Sequence, residues 1–375
     1  MTCCRPRVAS WLSRLLNGKS RKIVVSHLTA GELKSFCHIT IQLRKLSFIE
    51  SKPIFLPRNS PAFADDASYN LSVGSLRDPG ARLYFLVVAR KIEDAYILET
   101  LQSKFRKALI DRLPVEPILD LMLPPIEVMI PVGPSDIHKL PLTLAGIEKN
   151  VGNPISELTI VTPNEFSLRE KLPSFDFTIM EDSEVLGKET LNQVNDISSR
   201  WSARIPRGWF IQQLIKLAFV QNSNAAGVLI VDSETVLLRK RNFLNSNGVQ
   251  LLIPSYEFHK PYETHYALFF KNMRKFPTRS KLSYVAHHQL FQPSIIREMF
   301  VDKEALTAWL RSGDTNSRSS PVSEYHCYGR YITENYPEKV ALGSFRNIAS
   351  SYRNSEFSRF DSKKLNSVSF HEYAT

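Results

Sequence analysis

The chain has 375 residues, more than one ordinary domain of about 100–200 residues, so two domains, or one with large additions, is the expectation. Hydrophobic content of 43% and charged content of 23% suit a globular chain with a full-sized core, and the four cysteines (Cys3, Cys4, Cys37, Cys327) form no CxxC pair, which excludes a disulfide framework or zinc ribbon and fits a reducing compartment. A net charge of +11 calls for an acidic partner: nucleic acid, an anionic membrane surface or a phosphorylated small substrate.

Residues 1–24 are basic, with Trp11, Leu12, Leu15 and Leu16 at helical spacing. They read as a loosely docked terminus or as a short helix lying on an anionic membrane. They lack the apolar core and cleavage site of a signal peptide, and no stretch of the chain approaches the ~18 apolar residues of a membrane span. Residues 25–120 form a mixed α+β region of unassigned role. HITIQLRKLSFI and ARLYFLVVAR read as strands and DAYILETLQSKFRKALIDRL as an amphipathic helix. LPVEPILDLMLPP (113–125), with four prolines, reads as a linker or a wrapping connection.

The texture then changes. IEVMIPV, SELTIVTP, FDFTIME and GVLIVD read as strands, and RGWFIQQLIKLAFVQ reads as a helix. This alternation predicts an α/β fold, a mostly parallel sheet flanked by helices, over 121–345. Residues 346–375, rich in Ser, Arg and Asn, read as a poorly packed tail that ends in the strand-like SVSFHEY.

The run GVLIVDSETVLL (227–238) sets Asp232 and Glu234 at a strand end, where parallel sheets bind their ligands. Two carboxylates spaced two apart face the same way in extended backbone and repel unless a cation lies between them. Mg2+ or Mn2+ is the natural occupant, with a diphosphate completing its shell. A solvated polar turn gives the same pattern. On the preceding helix, Gln212 and Lys216 share a face that, with Arg207 and Trp209, could grip phosphate and sugar, or simply be a solvated edge. His287 and His288 are adjacent, so at most one is expected to reach a given site. Glu324 lies among aromatic residues in SEYHCYGRY, which suits either a raised-pKa base or a salt-bridged structural glutamate.

In order, IEVMIPVGPSD, WFIQQLIKL, VDSETVL, YVAHHQLF and SEYHCYG resemble the motifs of a family of bacterial glycosyltransferase-like proteins of the GT-A fold. That family's pattern has a Pro-rich nucleotide loop after the first strand, W-x-x-Q-Q-x-x-K-L, D-S-D-T-V, paired histidines and S-E-Y-E-x-Y-G. The resemblance covers roughly residues 126–345. It implies a nucleoside diphosphate sugar donor, Mn2+ or Mg2+, and a glycan or lipid-linked acceptor. Pro131, Asp136, Arg207, Trp209, Gln212, Gln213, Lys216 and Asp232 would then bind the donor. Asp232, Glu234 and His288 would take the metal, with His287 and His371 as alternatives for the histidine. Glu324 would act on the acceptor. Glu234 stands where the pattern has Asp, and His326 where it has its second Glu. The implied location is cytoplasmic, with a peripheral contact at the inner membrane face an option that the basic charge suits.

Three other readings stand beside this one. A catalytically degenerate GT-A scaffold would bind sugar nucleotide or a partner without turnover. A nucleic-acid-binding protein would use the positive charge, but no helix-turn-helix, RNP-like or zinc-finger pattern is present. A metal-dependent hydrolase would use His259, His265, His287 and His288, but HExxH is absent. No Walker loop, GxGxxG or GxSxG motif occurs.

Overall fold

A computed structural model describes residues 70–78, 81–89, 107, 110–118, 122–163, 168–200, 205–256, 259–270, 282–313, 320–352, 360 and 363–371. The chain divides into two units, Met1–Leu109 and Ile110–Thr375. In the first, β1 (Asn70–Asp78) and β2 (Ala81–Ala89) pair antiparallel, with Asp78 opposite Ala81. β2 is the strand expected from ARLYFLVVAR. The N-terminal basic segment, the strand expected over 38–49 and most of the helix expected over 94–113 lie outside the described residues.

The second unit is α/β. Its main sheet contains β3 (Ile126–Pro131), β4 (Ile155–Thr162), β5 (Thr178–Glu181), β6 (Val228–Val231) and β9 (His288–Phe291), in the order β5-β4-β3-β6-β9. The first four run parallel and β9 closes the edge antiparallel to β6. Every residue of β6 and β9 is buried, which is why both read as apolar runs rather than as alternating strands. The chain moves outward from β3 through β4 to β5, then returns to lay β6 on the other side of β3. That reversal opens a crevice between the carboxyl ends of β3 and β6, the usual ligand position in such sheets.

The helices that matter here are α1 (Leu140–Asn150), α2 (Asp182–Leu186), α3 (Lys188–Ser199), α4 (Arg207–Asn222), α5 (Lys260–Phe269), α6 (Pro293–Met299), α7 (Lys303–Arg311) and α8 (Glu324–Asn335). α4 is the central one. Phe210, Ile211, Gln213, Leu214, Ile215, Lys216, Leu217, Ala218 and Val220 are all buried, so its sides are covered by other elements rather than by water. No helix among the described residues is long and apolar enough to cross a membrane.

A second sheet is ordered β11 (Asn347–Ser350), β12 (Ser367–Phe370), β7 (Thr235–Leu237), and β8 (Gln250–Leu252) pairs in parallel with β10 (Val340–Leu342). Val236, Val368 and Phe370 form a small core with Leu142, Leu238, Tyr352 and Phe360 around it. Residues 346–375, set apart by composition as a tail, therefore supply two strands to the second unit, and β12 is its fully buried middle strand. The proline-rich segment wraps the same unit. Arg241 Nε donates to the Val115 carbonyl at 2.9 Å, Asn242 N–H to Glu116 Oε2 at 2.7 Å, and Asn153 Nδ2 to the Pro124 carbonyl at 2.9 Å. These bonds tie the described residues 110–118, expected with the N-terminal region, to the body of the second unit.

Candidate functional site

β6 ends at Val231 and β7 begins at Thr235, and these strands belong to different sheets. The residues between them, Asp232-Ser233-Glu234, make the turn that passes the chain from one sheet to the other. Thr235 N–H donates back to the Asp232 carbonyl at 2.9 Å. Thr143 Oγ1 of α1 donates to the Ser233 carbonyl at 2.7 Å, and Phe370 N–H of β12 to the Glu234 carbonyl at 2.9 Å. Asp232 N–H donates to the His287 carbonyl at 2.9 Å. The turn is thus pinned by three other parts of the fold, and both carboxylates emerge at the carboxyl end of β6.

One ligand atom from each of Asp232, Glu234 and His287 lies within 4.8 Å of the others. His287 Nδ1 is 3.3 Å from Asp232 Oδ2. His371, which follows β12, brings Nδ1 to 3.6 Å from Glu234 Oε1, and its ring centroid is 4.8 Å from that of His287. Two carboxylate oxygens and an imidazole nitrogen converging at this spacing suit a hard divalent cation that also accepts nitrogen, Mn2+ more readily than Mg2+. Asp232, Glu234 and His287 are the residues that would hold such an ion.

The electrostatics follow from burial and neighbours. Burial pushes Asp232 up, but Lys216 and His287 outweigh it and hold the carboxyl well below its ordinary range. Burial and the Asp232 charge raise Glu234. Burial lowers His371 to about 4, with His287 adding to the effect. His287 opposes the rise at Glu234, so the same imidazole bears on both carboxylates of the turn.

His288 is corrected by the structure. It opens β9 with its ring in the core, 0% exposed, edge-on to Phe243 at 6.3 Å between centroids. Burial first, then the charge of Arg241, lowers it to about 3. His287, the residue before the strand, has φ of 62° and so turns both its ring and its carbonyl toward Asp232. Adjacent residues do point apart, as expected, but strand parity does not say which of the pair faces the crevice.

Lys216 is also placed differently from the expectation of a phosphate grip. Its residue exposure is 2%, and Nζ donates to Asp232 Oδ1 at 2.6 Å and to Glu324 Oε1 at 2.7 Å. Nζ also lies 4.4 Å from the centroid of the Tyr325 ring. Gln213, one turn before Lys216 on α4, accepts the Glu324 N–H at 3.3 Å. Gln212 is half-buried. Glu324, expected at the acceptor, is 1% exposed in the interior. Burial raises it and Lys216 opposes that rise.

Of the remaining predicted residues, Pro131 and Asp136 lie at the end of β3 and just after it, and Arg207 and Trp209 on the helix before β6. Pro131 ends β3 and is buried. Asp136, in the 3-10 turn Pro134–Lys139, receives Lys139 Nζ at 2.6 Å and bears electrostatically on Glu234 and His371. Arg207 and Trp209 open α4, about 13 Å of helix rise from Lys216 in the case of Arg207. Arg207 lies near Asp182, at the end of β5, and its charge opposes the burial that raises Asp182 to about 6. His326 turns away from the cluster. Its Nε2 is 3.1 Å from Glu263 Oε2 on α5, so the departure from the S-E-Y-E pattern does not touch the carboxylates. Sequence reasoning missed Tyr325, whose hydroxyl donates to Asp232 Oδ1 at 2.9 Å, and the buried Lys139.

In its fold, the chain is similar to mouse xyloside xylosyltransferase 1, as seen in the crystal structure of its apo form. The match has a TM-score of 0.41 and 11% sequence identity, and covers 67% of this chain and 99% of that one. No family model matches the sequence, and no curated protein does.

Proposed function

We propose that the second unit is a metal-assisted glycosyltransferase that moves a sugar from a nucleoside diphosphate sugar to a hydroxyl of a glycan or lipid-linked acceptor. The observation that carries this reading is the convergence of Asp232, Glu234 and His287 at the carboxyl end of β6, beside the crevice between β3 and β6. Asp232, Glu234 and His287 would hold the ion, Mn2+ or Mg2+. When bound, the ion neutralises charge on the leaving diphosphate. The loop from Pro131 to Asp136, which follows β3 beside β6, would receive the nucleotide. Arg207 and Trp209, at the start of α4, would meet the phosphate or sugar. The acceptor oxygen must be aligned with the anomeric carbon, which is work for the crevice walls. A cytoplasmic enzyme with a basic surface against an anionic membrane face agrees with the net charge of +11.

A second reading, a scaffold that binds sugar nucleotide without turnover, is favoured by the interior place of Glu324, which leaves that carboxylate away from an acceptor. Calorimetric titration with UDP, GDP and CDP, with and without Mn2+, tests the site beside Asp232→Asn and Glu234→Ala. Metal-dependent binding of one nucleotide, lost in both variants, is the expected result. A folded protein that binds none of the three sinks the proposal. Binding without hydrolysis or transfer of the matching sugar nucleotide selects the scaffold.

A further inference from the structure

Asp232 Oδ1 accepts two bonds from the interior, from Lys216 Nζ at 2.6 Å and from the Tyr325 hydroxyl at 2.9 Å. Its other oxygen, Oδ2, faces His287. Lys216 belongs to α4, and Tyr325 is the second residue of α8. The carboxylate is therefore oriented by two helices at one oxygen, and the other is left for the cluster.

A buried ammonium on a metal-binding carboxylate creates a difficulty. A full positive charge at that distance competes with a divalent cation for the same negative charge, and little water is present to screen it. Glu324 answers the difficulty. Its Oε1 takes a second proton of the same ammonium at 2.7 Å. One Lys216 is thereby shared between two carboxyl groups.

The position of Glu324 is itself built. It is the first residue of α8, where the helix dipole favours an anion, and Ser323 caps that helix by accepting the His326 N–H at 3.3 Å. Gln213 accepts the Glu324 N–H. Thus Q-x-x-K on α4 meets S-E-Y at the start of α8, and the two motifs grip one another behind Asp232. At 1% exposure Glu324 touches no acceptor.

We propose that Glu324 and Tyr325 are positioning residues of the metal cluster: Glu324 draws the Lys216 charge off Asp232, and Tyr325 fixes the carboxylate so that Oδ2 faces the ion. This deepens the metal-site reading and rests on it. It also differs from an acceptor-base role for Glu324, which would affect transfer and leave metal affinity alone.

The test is titration of the full chain with Mn2+ alone, read by the electron paramagnetic resonance of free Mn2+, for the wild type, Glu324→Gln and Tyr325→Phe, with melting followed by circular dichroism. Loss of a group hydrogen-bonded to a metal ligand weakens affinity by about 10- to 100-fold, and that is the fall expected for Tyr325→Phe, which removes a bond made to Asp232 itself. Glu324→Gln, one bond further out through Lys216, is expected to weaken affinity by less. A merely structural role would lower melting temperature without moving the Mn2+ affinity of the folded protein. Unchanged affinity in folded Glu324→Gln overturns the proposal while the metal site stands. If Glu324→Gln does not fold, unchanged affinity in Tyr325→Phe overturns it. A wild-type chain that binds no Mn2+ overturns the metal reading, and this proposal falls with it.

Discussion

Asp232 is held at both of its oxygens, by Lys216 and Tyr325 on one and His287 on the other, and the last contact depends on a backbone conformation that L-residues seldom adopt. At φ of 62° the Cβ of His287 crowds its own carbonyl, a cost of about 1–2 kcal/mol that glycine does not carry. Such an outlier at a cluster of ionisable groups points to function. His287→Gly should therefore be more stable than His287→Ala by about 1 kcal/mol in urea unfolding, although both lose the ring. Equal stability would mean that the left-handed backbone is not strained. The sequence named Asp232 and Glu234 from their place at the end of an apolar run. It offered two adjacent histidines without a means of choosing, because the choice lies in one φ angle at the start of β9.

At the scale of elements, α8 carries the S-E-Y-x-x-Y-G motif, and much of that motif is packing. Tyr328 stacks on Phe291 at 4.3 Å and its hydroxyl donates to Gln250 Oε1 at 2.6 Å, which joins α8 to β9 and β8. Gly329 lies against Tyr284, where an added Cβ would fall 2.3 Å from the ring carbon Cγ. Tyr284 is itself 1% exposed and cannot withdraw. Gly329→Ala is expected to destabilise the protein by about 3 kcal/mol in urea unfolding, at the upper end of overpacking costs. Gly208, in the first turn of α4 with nothing within 4 Å, is the control. Alanine there should be neutral or stabilising by less than about 1 kcal/mol. Matching effects at the two sites would refute the close approach. A motif read as ligand-binding in sequence is thus largely a record of which backbone may approach which ring.

Over the whole molecule, buried neutral histidines set the response to acid. His265 on α5 lies in the interior, its Nε2 2.9 Å from both the Trp309 carbonyl and Ser312 Oγ, and burial lowers it from 6.5 to about 4. Between those values the unfolded chain binds a proton that the folded chain refuses, so stability rises with pH across that window and is lost as pH falls through it. The cost at pH 5 is about 2 kcal/mol from this residue. His265→Gln, which can still bond Ser312, should flatten the pH dependence of the urea midpoint between pH 7 and pH 5. A variant as acid-sensitive as the wild type would locate the effect elsewhere.

The strands β3 and β6 were legible because burial on both faces imprints itself on consecutive residues, and β4, β5 and the helix α4 because their patterns are local. By itself the sequence determined the α/β alternation, the acidic turn after β6 and the order of the motifs. Tertiary structure alone decided that Lys216 faces two carboxylates, that His287 and not His288 reaches the cluster, that Glu324 lies inside, and that the C-terminal residues supply the middle strand of a second sheet. Those outcomes depend on pairings far apart in the chain: α4 with α8, β12 with β7, and His287 with Asp232. A charge in sequence carries no mark of which opposite charge will be buried against it.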